Sequence, residues 1–267
     1  MQRELGQATS ADGCVIAYEM AGTGPTVLLV DGALCARHLG PSKAMSMMLV
    51  GQGFRVVRYD RRGRGGSSSA RAYHPALEVG DIAAVLDNLG GEACLWGMSS
   101  GGILALMAAQ SLPGIRRVAI YEAPVLFDAS RKPLDAGWRG VTTCLSRQDV
   151  DGALSAFLSM VGMPAPVRVV MRLTPLWRRL RAIAPTLAHD RDITVPYQQG
   201  MPVSPIAGIG GDVLVTAGSR SPRWLREGNK ALAGLLPGAR YAIVDGDDHM
   251  VRPARHQQLL TNFFHGP

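Results

Sequence analysis

The chain has 267 residues, of which 47% are hydrophobic and 18% charged, and its formal net charge is +7. That length accommodates one catalytic domain with an inserted segment, and the composition excludes disordered, fibrous and collagen-like chains.

Residues 1–13 are polar and mixed in charge, with no apolar run of signal-peptide length. No stretch approaches the roughly 20 apolar residues of a membrane span. Cys14, Cys35, Cys94 and Cys144 are scattered without CxxC spacing, so reduced thiols in the cytoplasm are expected.

Short apolar runs alternate with helix-length amphipathic ones, the signature of a parallel sheet with crossover helices. Residues 15–19 read as an outer strand, and 26–30, nearly all apolar, as a strand covered on both faces. Residues 54–59 form the next strand and run straight into Arg61-Arg62-Gly63-Arg64-Gly65-Gly66. An RGG-type RNA-binding segment is longer and sits in a disordered tail. This run is therefore expected to be a solvated basic face that binds no nucleic acid. Leu77, Ile82, Val85, Leu86 and Leu89 fall at helical spacing before Gly90-Gly91. Residues 93–96 make a strand ending at Gly97, 103–110 a helix, and 117–121 a further strand.

The alternation then fails. Between 126 and 208 the sequence predicts helical pieces, such as 150–160 and 176–183. They are broken by Pro133, Pro164, Pro166, Pro175, Pro185, Pro196, Pro202 and Pro205. Strands return at 212–216 and 241–244, with helices at 222–236 and 253–264. The expected organisation is a core of residues 1–125 and 209–267 with a helical cap at 126–208.

Gly97-Met98-Ser99-Ser100-Gly101 fits G-x-S-x-G between a strand and a helix. A serine on such a turn needs small neighbours. The turn lifts its Oγ off the sheet edge, and the following helix N-terminus offers positive potential to a developing oxyanion. Ser99 is thus the expected nucleophile. Of six histidines, His249 follows the last strand, in Asp245-Gly246-Asp247-Asp248-His249, at the sheet edge that bears the serine. His249 is the expected base. His256 and His265 are assigned to the surface of the last helix.

These motifs resemble the α/β-hydrolase family over nearly the whole chain outside the cap. Asp31-Gly32-Ala33 resembles the family's oxyanion turn, and Tyr59-Asp60-Arg61-Arg62-Gly63-Arg64-Gly65-Gly66-Ser67 its D-x-R-G-x-G-x-S loop. The resemblance implies a mostly parallel eight-stranded sheet flanked by helices, with the cap inserted after the sixth strand. It also implies oxyanion donors from the Gly32-Ala33 turn and Ser100. The family's usual histidine in that turn is Asp31 here. The aspartate that usually follows the penultimate strand is missing, because the stretch reads Ala217-Gly218-Ser219-Arg220-Ser221-Pro222. Glu122, at the end of the strand beside the nucleophile strand, is the implied acid, with Asp247 and Asp248 as its rivals. Some haloalkane dehalogenases place their acid similarly, but Ser99 argues against their aspartate-based chemistry. Zearalenone-type lactone hydrolases share this placement and resemble the chain in Trp96-Gly97-x-Ser99-Ser100-Gly101.

The expectation is a serine hydrolase acting through an acyl-enzyme on a medium-sized hydrophobic ester, lactone or thioester, with neither metal nor organic cofactor. A small-molecule substrate and a monomer or homodimer are expected, with no membrane contact. Asp31, Met98 and Trp177 are the candidate substrate contacts. Met160, Met163, Met171 and Met201 could line a greasy pocket, and Arg178, Arg179 and Arg181 could take an anionic group. The alternatives are a non-hydrolytic enzyme on the same fold (a cyclase, a C–C cleaving enzyme or a cofactor-free haloperoxidase type) and a silent binding protein.

Overall fold

Side chains alternate between two cores along the central strands. Val27, Leu29, Cys94, Trp96, Ala119 and Tyr121 point into one. Leu28, Val30, Leu95, Val118 and Ile120 point into the other. A strand with both faces covered must be apolar at every position, which is why these runs lack the polar alternation of half-exposed strands. Each fully buried leucine or isoleucine here contributes about 1.5–3 kcal/mol.

A computed structural model describes residues 3–69, 72–126, 132–199, 208–209 and 211–266. Its strands are β1 (Arg3–Thr9), β2 (Val15–Ala21), β3 (Thr26–Val30), β4 (Arg55–Tyr59), β5 (Ala93–Met98), β6 (Ile115–Tyr121), β7 (Asp212–Gly218) and β8 (Arg240–Val244). They form one sheet in the order β1-β2-β4-β3-β5-β6-β7-β8. β2 runs antiparallel to β1 and β4, and the remaining pairs are parallel. Helices α1 (Ser42–Val50) and α10 (Pro253–His265) cover one face of the sheet. Helices α2 (Pro75–Asp87), α3 (Ser100–Ser111) and α9 (Arg223–Leu235) cover the other.

The described helices between β6 and β7 are α4 (Lys132–Ser146), α5 (Val150–Met160), α6 (Ala165–Arg172), α7 (Pro175–Ile183) and α8 (Leu187–Gln198). Trp138, Leu154, Phe157, Trp177 and Leu187 close a third core, joined by Leu34 and Ala36 from the loop after β3. The prolines open α6 and α7 at a first-turn position, where no backbone N–H is needed. Pro196 does not break its helix. It lies inside α8, near the C-terminal end, where few intrahelical bonds are left to lose. Met201, Pro202 and Pro205 lie outside the described residues. No described helix is long and apolar enough to cross a membrane.

The arginine run departs most from the sequence reading. Arg61, Arg62 and Arg64 are buried, each about 1% exposed, and form no solvated basic face. Arg61 pairs with Glu78 and Asp190, Arg62 with Asp12 and Asp81, and Arg64 with Asp190. Planar guanidiniums with five donors can be fully satisfied in such a cluster, which makes burial tolerable. His256 is likewise buried rather than on the surface, with Nε2 2.7 Å from Asp247 Oδ2. His265 is exposed, as expected.

Candidate active site

β5 delivers Ser99 into a turn that only small neighbours permit. A Cβ on Gly97 would stand 2.5 Å from Gly101 O, and one on Gly101 would stand 2.2 Å from Val30 O. Neither approach is tolerable for a real side chain, so the outer residues of G-x-S-x-G are fixed by backbone contact. Ser99 itself adopts φ 54°, ψ −127°, a strained conformation for a residue with a Cβ. Its N–H donates to Tyr121 O at 2.9 Å, which ties the turn to β6. Ser100 then opens α3, where the first amide hydrogens have no intrahelical acceptor.

The next residue along β6 is Glu122, also at positive φ (52°) and fully buried. Its N–H donates to Thr216 O on β7. Oε1 accepts hydrogen bonds from the Gly218 N–H (2.8 Å) and the Ser221 hydroxyl. Oε2 stands 2.7 Å from His249 Nδ1. The loop after β7, which lacks the family's aspartate, therefore supplies donors to Glu122. The rival carboxylates are engaged elsewhere: Asp247 with His256 and Arg252, and Asp248 with Arg252. Tyr121, whose phenol is pushed upward by burial and by the Glu122 and Asp247 charges, donates to Asp248 O at 2.7 Å and steadies the histidine loop.

Ser99 and His249 line one cavity of about 310 Å³. Ala33, Ser100 and Asp248 join them from the core. Pro124, Pro222, Trp224 and Leu225 add apolar wall, and Leu134, Trp138, Phe157, Met160 and Val161 enclose it from the helices between β6 and β7. Polar groups in that outer wall are Asp190, Thr194 and Gln198 of α8; Gln198 Oε1 is held by Trp138 Nε1 at 3.1 Å.

Three candidate contacts lie elsewhere. Asp31 is buried beneath the turn, with one carboxylate oxygen unpartnered, and burial pushes its carboxyl up to about 6 against the pull of nearby arginines. Met98 belongs to the core below the sheet. Trp177 is fixed in the third core, its indole N–H donating to Asp151 at 2.7 Å and its ring under Arg172. Of the methionines, Met160 reaches the cavity, whereas Met163 and Met171 pack on the third core. Arg178, Arg179 and Arg181 are exposed on α7, with Arg181 paired to Asp151. Gly32 turns its carbonyl to Arg64 at 2.7 Å while Ala33 faces the cavity. Among the described residues, no group of three or more His, Cys, Asp or Glu is placed to hold a metal ion.

Sequence reasoning missed Asp190, Thr194, Gln198 and Ser221. None lies in a motif, and each reaches its place only through tertiary packing.

A profile of the alpha/beta hydrolase family matches residues 47–260. The chain belongs to that family. An alpha/beta hydrolase from Sphaerobacter thermophilus is 35% identical, with a TM-score of 0.87 over 97% of this chain and 100% of that one. The enol-lactonase from Burkholderia xenovorans (19% identity, TM-score 0.72, 98% and 100% covered) shares the fold. So does a bromoperoxidase from Bacillus anthracis (21% identity, TM-score 0.73, 98% and 100% covered). No curated protein matches the chain.

Proposed function

We propose that this α/β hydrolase is a serine esterase or lactonase, cleaving a medium-sized hydrophobic ester, lactone or thioester through an acyl-enzyme. The observation that carries the reading is the 2.7 Å pairing of His249 with buried Glu122, in a cavity that His249 shares with Ser99 on its strained turn.

With Nδ1–H donating to Glu122, His249 keeps Nε2 unprotonated and free to take the Ser99 proton as Oγ attacks the carbonyl carbon. Glu122 fixes the imidazole tautomer and stabilises the imidazolium that forms. The N–H groups of Ser100 and Ala33 hold the oxyanion; a donor in this role typically contributes about 3 kcal/mol. The imidazolium returns its proton to the leaving oxygen or sulfur. Water, deprotonated by the same His249, then releases the acid. The enclosing aromatic and aliphatic side chains favour an apolar acyl or alcohol part. The four free thiols suit a reducing, cytoplasmic setting.

The test is incubation with a panel of p-nitrophenyl esters, lactones and thioesters, following product release and the intact mass of the protein. Turnover with a transient acyl mass on the peptide containing Ser99 is expected. Folded protein that turns over none of the three classes would remove the reading.

A further inference from the structure

One carboxylate from the helices over the cavity reaches the nucleophile turn. Asp190 of α8 is fully buried and lines the cavity wall. Its Oδ1 accepts from Ser100 Oγ and Arg61 Nη1, and its Oδ2 from Arg64 Nη2, all at 2.7 Å. Arg64 turns its other terminal nitrogen to the carbonyls of Gly32 (2.7 Å) and Cys35 (3.2 Å), and Arg61 reaches Asp31 O at 3.3 Å. Glu78 grips Arg61 from the far side with two bonds of 2.6 and 2.7 Å. Two cations and two carboxylates therefore balance inside a buried cluster. Burial alone would raise the Asp190 carboxyl, but Arg64 and Arg61 hold it below the ordinary carboxylate value, so it stays charged.

Each of its three bonds leads to a backbone donor of the oxyanion site. Through Ser100 it holds the first residue of α3, and through Arg64 and Arg61 it holds the 31–35 turn that carries Ala33. We infer that Asp190 is a positioning residue, which sets both oxyanion donors in one frame and makes that frame depend on the docking of α8. The inference rests on the serine-hydrolase reading for its catalytic consequence, but the positioning itself is a property of the fold.

The test compares Asp190→Asn with wild type in three measurements. The variant keeps the shape and drops the charge, leaving two buried guanidiniums against Glu78 alone. Loss of oxyanion alignment is expected to lower kcat about tenfold to a hundredfold with KM within about threefold. Affinity for phenylboronic acid, which becomes tetrahedral on Ser99, is expected to fall by the same factor as kcat. Amide exchange in the 31–39 peptide is expected to speed up about tenfold while that of 93–98 stays unchanged. Turnover within about twofold of wild type, or a loss of kcat with boronate affinity unchanged, overturns the inference. Should Asp190→Asn fail to fold, Arg64→Lys decides. It retains the charge but cannot span the carboxylate and two carbonyls, so a parallel loss in kcat and boronate affinity is expected and its absence overturns the inference. Wild-type protein that takes neither ester nor boronate would instead defeat the hydrolase reading, and the exchange rates would still decide whether Asp190 holds the turn.

Discussion

Glu122 Oε2 and His249 Nδ1 stand 2.7 Å apart although 127 positions separate the two residues. Glu122→Gln keeps the size and one acceptor oxygen but loses the charge that fixes the imidazole. It is expected to lower kcat by about 10³–10⁴ with KM little changed. Asp248→Asn, whose carboxylate serves Arg252, should stay within about tenfold of wild type. Steady-state kinetics of the two variants check the assignment, and the reverse order of effects would transfer the acid role to Asp248.

His249, in the loop after β8, and buried His256, in α10, separate function from stability. His249→Ala is expected to abolish turnover and to cost less stability than His256→Ala, because the ring it removes is 43% exposed and lines the cavity, so water can reach the Glu122 oxygen it leaves. His256→Ala strips the fully buried Asp247 of one of its two partners and is expected to cost about 2–4 kcal/mol by denaturant unfolding. Equal destabilisation by both variants would show that the histidine loop has no such division of labour.

Gly101→Ala tests the turn. Its new Cβ would meet the Val30 carbonyl at 2.2 Å, a backbone atom that cannot swing aside. A loss of about 3 kcal/mol or more, with turnover lost alongside, is expected. A stable, active variant would mean that β3 and α3 do not approach so closely.

Asp31 gives a pH-dependent prediction. Burial raises its carboxyl from an ordinary value near 3.8 to about 6 in the folded chain. The unfolded chain ionises first, so folding stability is greatest below the unfolded value and declines as pH rises from about 4 to 6. Asp31→Asn removes that decline. It is expected to be about 1–3 kcal/mol more stable than wild type at pH 7–8, with the gain vanishing near pH 4. Urea melts at the two pH values check this; a variant less stable at pH 8 would show that the Asp31 charge is compensated.

Local pattern carried the sheet and the core of the site. The apolar runs at β3 and β5, the G-x-S-x-G turn and the loop ending at His249 are all written within a few consecutive residues, and the structure makes the runs central strands and brings the turn and the loop to one cavity. β1 leaves no apolar signature because it is an edge strand with mostly exposed residues, Leu5 among them at 78%. α1 is equally illegible, because its short Ser/Met-rich stretch carries little helical periodicity. The burial of the arginines is illegible locally for a different reason. Arg61 meets Glu78 and Asp190 at separations of 17 and 129 positions, and no local feature of a charge run announces distant partners. Glu122 lies between these cases: its place at a strand end is legible, but the donors that hold it, Gly218 and Ser221, show in the sequence only as a stretch without the usual aspartate.

The most direct measurement is peptide mapping after reaction of the folded protein with a fluorophosphonate. One covalent adduct on Ser99 is expected, slowed at least about a hundredfold in His249→Ala. A folded wild-type chain that takes up no label, or takes it up at another serine, would contradict the assignment of Ser99 as the activated nucleophile.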